Sequence, residues 1–313
     1  MTVARDDCVW VPAGTFRMGS DRHYAEEAPA HFVQVDGFWI DRTPVTNRDF
    51  RQFVEETGYV TFAETAPDPM DYPGALPEML HPASLVFTPP GRPVDLRNFH
   101  NWWEFRRDAQ WRNPYGPDTS FEALDDHPVV HVAYQDVEAY AAWASKEIPT
   151  EAEWEFAARG GLDAAEFAWG DTLMPDDRAM ANTWQGNFPN ENLKLDGFER
   201  TSPVEAFPAN GYGIFDMIGN VWEWTQDWYS ARHEVTAPKP CCAAPNPRGA
   251  AESGSYDPSQ PDIRIPRKVL KGGSHLCAPN YCRRYRPAAR HAQPIDTSTS
   301  HVGFRLVSHA PGP

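Results

Sequence analysis

The sequence predicts a mixed α/β protein with little regular secondary structure. Three observations lead there. Of 313 residues, Pro 31 and Gly 21 account for about a sixth of the chain, which favours turns over long elements. Aromatic residues reach 13%, with 12 Trp, so large flat side chains fill much of the interior and their N–H groups need partners. Short strand-like runs also alternate with short helical segments that open on capping motifs.

Taken in order, Val9–Phe16 reads as a strand broken by the Pro12-Ala13-Gly14 turn, and Phe32–Val35 and Phe38–Ile40 read as further strand. Thr46-x-x-Asp49 resembles a capping box; Phe50, Phe53 and Val54 give the helix that follows one apolar face, and Gly58 ends it. Ala66 to Gly116 reads as a long ordered excursion held by Trp102, Trp103 and Trp111, because mobile linkers are rarely so aromatic. His127–Val132 is a β-rich run, and a helix is expected from Gln135 to Ser145. Thr150-x-x-Glu153 opens another, stopped at Gly160-Gly161. Beyond Gly170 turns dominate, and Thr236–Pro266 is a second Pro-rich excursion carrying Cys241-Cys242. No repeat and no boundary divides the chain, so one domain over residues 1–313 is expected.

Charge narrows the partners. Lys plus Arg total 28 against 44 Asp plus Glu, a net charge of −16. Such a surface repels nucleic acid and anionic membrane. There is no run of 18 apolar residues for a membrane span, and the start, MTVARDDCVW, lacks a signal-peptide pattern. A cytoplasmic location is the expectation, with a monomer as the default state. Five cysteines, an odd and sparse set, argue against a disulfide scaffold.

Cys277 and Cys282 stand out. They lie in KGGSHLCAPNYCRRYRPAAR, followed at once by Arg283, Arg284, Arg286 and Arg290. Nearby cations stabilise thiolates, and two thiolates suit a soft ion such as Cu(I). The spacing itself leaves a disulfide, unrelated core thiols and a soft-metal pair all open. The preceding glycines are read as permitting close backbone approach beneath the cysteines. Two oxygen-rich stretches, Asn182-Thr183 with Asp196–Phe198 and Asp216–Glu223, have the composition of calcium loops, although Asx-turns and caps explain them as well. His127 and His131 could share a strand face but lack a carboxylate partner. The simpler reading is a turn histidine and a hydrogen-bonded strand histidine. Nucleotide loops and a nucleophile elbow are absent.

Several segments resemble the formylglycine-generating (sulfatase-modifying factor) superfamily: Val11–Gly19 (VPAGTFRMG), Pro149–Glu155 (PTEAEWE), Ala157–Gly161 (AARGG), Gly219–Trp224 (GNVWEW), Lys271–Ser274 (KGGS) and Gly303–Arg305 (GFR). They run in order over nearly the whole chain. Cys277–Arg286 (CAPNYCRRYR), Ala181–Gly186 (ANTWQG) and Trp111–Pro117 (WRNPYGP) are similar to the formylglycine-generating branch, whereas relatives with other functions usually lack both cysteines.

The resemblance implies a compact α/β fold related to C-type-lectin-like folds. It implies a copper-dependent oxidase that converts the cysteine of a Cys-x-Pro-x-Arg segment, in an unfolded or nascent sulfatase, to Cα-formylglycine with O2 and a thiol reductant. Cys277 and Cys282 would hold Cu(I) in near-linear coordination; Ser274, Tyr281 and Trp222 would line the oxygen pocket; Ser298, His301 and Arg286 would meet the peptide. Asn182, Thr183, Asp196 and Phe198 would bind one structural Ca2+, and Asp216, Gly219, Val221 and Glu223 a second. Ala278 stands where some members carry His, and Leu306 and Pro287 where some eukaryotic members carry Cys. Glu147-Ile148 replaces a usual Arg-Leu. Two alternatives share the fold: a non-catalytic ligand-binding module, and an iron sulfoxide synthase, which needs a further helical domain.

Overall fold

The computed structural model describes residues 7–70, 72, 74–233 and 243–313. Its first half follows the local signals closely. Strands β1 (Cys8–Val11) and β2 (Gly14–Met18) flank the Pro-Ala-Gly turn, and β3 (His31–Val35) and β4 (Phe38–Asp41) follow. β1 pairs antiparallel with β4, and β2 with β3. Helix α1 (Asn47–Thr57) has a full capping box at Thr46 and Asp49 and ends at Gly58 in the left-handed region. It buries Phe50, Phe53 and Val54 as its spacing requires. The aromatic excursion contains a hairpin, β5 (Ala83–Phe87) with β6 (Trp103–Arg107).

Helix α2 (Tyr134–Ala144) starts one residue earlier than expected, where Asp136 accepts the Ala133 N–H at 2.8 Å. Helix α3 (Glu151–Arg159) carries the second capping box, and all nine of its residues are buried. It packs against β2 and β3 on one side. On the other lie β7 (Trp222–Trp228) and β9 (Arg267–Lys271).

One expectation fails and another holds only in part. His127–Val132 is not a strand: its pairing is an isolated bridge from Pro128 to Thr46, and His131 has φ 63, which interrupts extended backbone. The turns expected after Gly170 hold as far as Val221, and from Trp222 onward the chain enters a four-stranded sheet in the order β10-β9-β7-β11, with β10 at Arg290–Pro294 and β11 at Val302–Gly303. Buried charges hide that sheet from a hydrophobicity pattern. β7 buries Glu223 and Asp227, and β9 buries Lys268 and Lys271, so polar positions do not mark the solvent face. Short strands β8 (Ala244–Pro245) and β12 (Val307–Ser308) complete two three-stranded sheets, β2-β3-β8 and β1-β4-β12. Cys241-Cys242 lies outside the described residues.

Tryptophans anchor the interior, as the composition implied. Trp111, Trp222 and Trp224 pack with Phe50 and Phe304 in one apolar cluster. Trp154 centres a second with Phe38 and Ile40, and Trp102 and Trp184 form a third with Phe87 and Phe188. Trp154 Nε1 donates to Glu223 and Trp224 Nε1 to the Val132 carbonyl, so both buried donors are satisfied.

After β9 the chain turns through Gly272 and Gly273, at φ 90 and 73. A Cβ on Gly272 would meet Met217 O at 2.8 Å and the Trp154 ring at 3.0 Å; at Gly58, also left-handed with φ 68, it would meet nothing within 4 Å. Gly272→Ala therefore carries backbone strain and a clash, and is expected to cost about 1–3 kcal/mol. Gly58→Ala carries strain only, about 1 kcal/mol. Urea midpoints measure both; equal losses would show that the close approach at Gly272 is not a constraint.

Candidate active site

The glycine turn delivers Ser274–Tyr285 as a loop folded on itself. Cys277 N donates to Ser274 O at 2.9 Å, and Cys282 N to Ala278 O at 2.9 Å. These two turns bring Cys277 Sγ and Cys282 Sγ to 3.2 Å. Both cysteines are free, and Cys277 is only 2% exposed. The loop is anchored from outside where Trp184 N donates to Cys277 O at 3.0 Å.

The two sulfurs are not equivalent. Burial pushes the Cys277 thiol well above the ordinary range, and its contact with Cys282 reinforces this. Cys282 is drawn down to about 7, first by the hydrogen bond from Cys277 and then, against the cost of burial, by the Arg284 guanidinium. The two opposite shifts make Cys277 S–H the donor of the pair and Cys282 the more acidic sulfur, the one that becomes a thiolate first. Ser274 N adds a weak donor to Cys277 Sγ at 3.5 Å.

One of the four neighbouring arginines reaches the sulfurs. Arg284 Nη1 lies 3.9 Å from Cys282 Sγ, its Nη2 pairs with Glu26 at 2.5 Å, and its guanidinium stacks 3.8 Å above the Tyr24 ring. Arg283 pairs with Glu166. Arg290 meets Glu151 at 2.8 Å. Arg286 is 1% exposed, and Glu27 fills its fork at 2.5 and 2.8 Å, which leaves no free guanidinium edge for a peptide. That geometry corrects its assignment as a peptide contact: Arg286 holds the loop to the Tyr24–Glu27 turn. This turn had no place in the sequence reading. Its signal was the acidic pair Glu26-Glu27 matching the arginine-rich run after Cys282.

Of the other expected site residues, Ser274 is fully buried beside Cys277. Tyr281 is 41% exposed, stacked on Phe188 at 4.5 Å and edge-on to Trp102 at 5.4 Å. Trp222 is buried in the same apolar cluster as Cys277, and its N–H donates to His301 O at 2.9 Å. His301 packs on Trp103 at 4.8 Å and is held by Thr299 Oγ1 at 2.9 Å; burial keeps its imidazole neutral. Ser298 Oγ contacts Ser84 Oγ at 2.8 Å. The two histidines weighed together in the sequence separate: His127 meets Thr201, and His131 meets Ser84 and the Pro114 carbonyl.

The oxygen-rich stretches differ from each other. Asp196 accepts from Thr183 N at 3.1 Å, Phe198 N at 3.0 Å and Gln185 Nε2 at 2.8 Å, so Thr183, Asp196 and Phe198 converge. Asn182 anchors the same loop through Arg200 O at 2.8 Å. In the second stretch Arg305 grips Glu223 at 2.7 and 2.8 Å. Gly219 N donates to Gly272 O, and Val221 is buried. Burial raises Asp216 to about 6, with the negative Glu223 contributing. Among the described residues, no three His, Cys, Asp or Glu side chains converge as a metal cluster.

Fold and site together define an irregular α/β scaffold whose loops are fixed by ion pairs and which holds two free thiols in contact. The chain belongs to the sulfatase-modifying factor enzyme 1-like domain family, which matches residues 2–310. It is 51% identical to the formylglycine-generating enzyme of Mycobacterium tuberculosis over 96% of this chain and 97% of that one. It is also 41% identical to the inactive C-alpha-formylglycine-generating enzyme 2 of Bos taurus, over 97% of this chain and 89% of that one. Among solved structures it shares the fold of PvdO from Pseudomonas aeruginosa, with TM-score 0.64, 22% identity and coverage of 96% and 93%. No described helix is long and apolar enough to cross a membrane.

The thiol asymmetry is measurable. Alkylation of Cys282 is expected to titrate with a midpoint near 7, and Arg284→Gln to move that midpoint upward by removing the cation beside the thiolate. Rates followed against pH by peptide mass spectrometry test this; an unmoved midpoint would remove Arg284 from the account.

Proposed function

We propose that this chain oxidises the cysteine of a Cys-x-Pro-x-Arg segment, in an unfolded or nascent sulfatase polypeptide, to Cα-formylglycine, using Cu(I), O2 and a thiol reductant. The observation that carries this reading is the free, proton-sharing pair Cys277 and Cys282 in a chain half identical to a formylglycine-generating enzyme. A related protein named inactive at 41% identity shows why the overall likeness does not carry it alone.

The donor set fits Cu(I): two soft sulfurs, one already a thiolate near neutral pH. Their spacing is that of a shared proton. Two metal–sulfur bonds of ~2.3 Å in a straight line would span roughly 4.6 Å, so near-linear ligation requires the sulfurs to part from 3.2 Å. When bound, Cu(I) supplies a soft centre for the substrate thiolate and a one-electron donor for O2.

The protein's own groups do the rest. Trp222, buried in the apolar cluster that includes Cys277, would help keep water from the cysteine pair. Ser274 fixes the Cys277 turn through its carbonyl, and Tyr281 presents a phenol braced by Phe188 and Trp102. Ser298 and neutral His301 offer polar contacts to the peptide. One cysteine CH2–SH, O2 and two reductant thiols yield one aldehyde, one hydrogen sulfide, one water and one disulfide, which balances atoms and electrons.

The reading includes one domain over residues 1–313 acting as a monomer in the cytoplasm; the three described cysteines, all free, suit a reducing compartment. Structural Ca2+ is proposed at both loops. At the first, the ion would take the place of the Gln185 amide between Thr183 O and Asp196. At the second it would offset the Asp216 and Glu223 charges together with Arg305.

The deciding experiment supplies purified protein with a Cys-x-Pro-x-Arg peptide, Cu(I), a thiol and air. Gain of aldehyde with loss of peptide thiol by mass spectrometry is expected. Copper-loaded protein without turnover would favour the ligand-binding alternative. Cys277→Ser and Cys282→Ser should each abolish tight Cu(I) binding, and Cys8→Ser should retain it; tight binding surviving in either of the first two would refute the ligand pair.

Calcium has its own test. The folded Asp216 carboxyl, raised to about 6 from 3.8, holds its proton where the unfolded one has lost it. Without a cation its contribution to stability is therefore lost as pH rises from about 4 to 6. Added Ca2+ should raise the melting temperature at pH 7, less so in Asp196→Ala and Asp216→Asn. No calcium dependence in the parent protein would remove the ions.

A further inference from the structure

His131, Ser84 and Ser298, exposed by 0%, 1% and 5%, form a hydrogen-bonded chain. We propose that His131 and Ser84 are positioning residues that lock Ser298 as a hydrogen-bond acceptor for an N–H group of the incoming polypeptide. This rests on the peptide-oxidase reading and adds to it the direction of every proton in the chain.

The direction is set at the buried end. His131 Nε2 lies 2.7 Å from the Pro114 carbonyl, which can only accept, so Nε2 carries a proton. Burial draws the imidazole down to about 4, so at neutral pH the ring is uncharged and Nδ1 is an acceptor. Ser84 Oγ, 2.7 Å from Nδ1, has one proton, and it goes there. Its other candidate acceptor, Ser298 O at 2.7 Å, already receives Leu85 N at 3.2 Å. Turning the Ser84 proton toward Ser298 O would leave Nδ1 buried and unpaired, the costlier arrangement.

With its proton spent on His131, Ser84 Oγ can only accept from Ser298 Oγ at 2.8 Å. The Ser298 proton therefore points inward. No other partner of Ser298 Oγ is found among the described residues, so what it offers a newcomer is lone pairs. The backbone fixes the residue as firmly as the protons do. Leu85 and Thr299 form a parallel bridge, and His131 N donates to Thr299 O at 2.9 Å. Three residues beyond Ser298, the His301 carbonyl accepts the backbone N–H of Trp222, a member of the same apolar cluster as Cys277. An acceptor on this segment selects a donor: a backbone amide of the peptide or a guanidinium N–H of its arginine.

Steady-state kinetics on the copper-loaded enzyme test the relay. Ser84→Ala frees the Ser298 proton to rotate outward and is expected to raise peptide KM about tenfold with kcat held, the loss of about one hydrogen bond. Ser298→Ala should do the same, and the double variant no worse than either alone. His131→Asn, which tolerates the left-handed backbone and keeps an acceptor in the Nδ1 place, should stay near the parent KM, while His131→Leu should not. Peptides with single backbone esters, and one with arginine replaced by norleucine, identify the donor: one of them should lose affinity for the parent enzyme and none further for Ser298→Ala. An unchanged KM in Ser84→Ala, a fall in kcat alone, or equal peptide losses in both enzymes would overturn the relay while leaving the oxidase reading intact. No turnover by the parent enzyme would overturn both.

Discussion

Four carboxylates buried in this molecule, Glu27, Glu151, Glu155 and Glu223, each meet a cation from its C-terminal part: Arg286, Arg290, Lys271 and Arg305. The rest of the structure depends on that constraint. A buried charge without its partner costs several kcal/mol, whereas a matched pair is roughly neutral against an apolar alternative. The pairs therefore specify more than they stabilise. They admit one arrangement of the C-terminal part against the rest of the chain. Lys271 lies between Glu151 and Glu155 on α3, and burial, which on its own would raise Glu155, is overcome by Lys271 and Arg159, leaving it at about 2. The next two residues are the glycines that aim the cysteine loop. The position of Cys277 and Cys282 is thus inherited from ion pairs on both sides, Lys271 before the loop and Arg286 after it.

The same constraint decides what could be read from the sequence. Helices α1 and α3 were legible because their signals are local: Thr46 with Asp49, Thr150 with Glu153, then Gly58 and Gly160 in left-handed caps. The sheet built on β7 and β9 was not, because Glu223, Asp227, Lys268 and Lys271 point into the protein and erase the alternation that marks a half-buried strand. The run His127–Val132 has strand composition, yet His131 adopts a backbone that composition does not report. At the site, the cysteine pair and its glycines were legible as chemistry and spacing. Which arginine reaches a sulfur was not, since Arg283, Arg284, Arg286 and Arg290 look alike until Glu26, Glu27, Glu151 and Glu166 claim them from distant parts of the chain.

Irregular backbone is the means by which this protein places functional groups. A helix or strand spaces side chains by a fixed period, and neither brings residues five apart to 3.2 Å between sulfurs while burying one of them. Two successive turns do so. Their cost in order is offset by anchors that are themselves irregular, such as the Trp184 N–H on the Cys277 carbonyl and the arginine clamp on the Tyr24–Glu27 turn. The Thr183–Phe198 loop and the Cys277–Cys282 loop are thereby mechanically joined at residues 184 and 277, so anything that orders the first bears on the second.

The unequal acidity of the two sulfurs would set the proton inventory of the metal uptake proposed above. Two ordinary thiols would each surrender a proton to a soft cation, and affinity would climb with the square of alkalinity. Here the Cys282 proton is the more readily lost, and the one that remains is held between Cys277 and Cys282. On the Cu(I) reading proposed above, loading would then release about one proton, and affinity would rise roughly tenfold per pH unit instead of about a hundredfold. Occupancy by such a cation would be buffered against swings in acidity, a consequence of one guanidinium and one buried S–H placed beside the same sulfur.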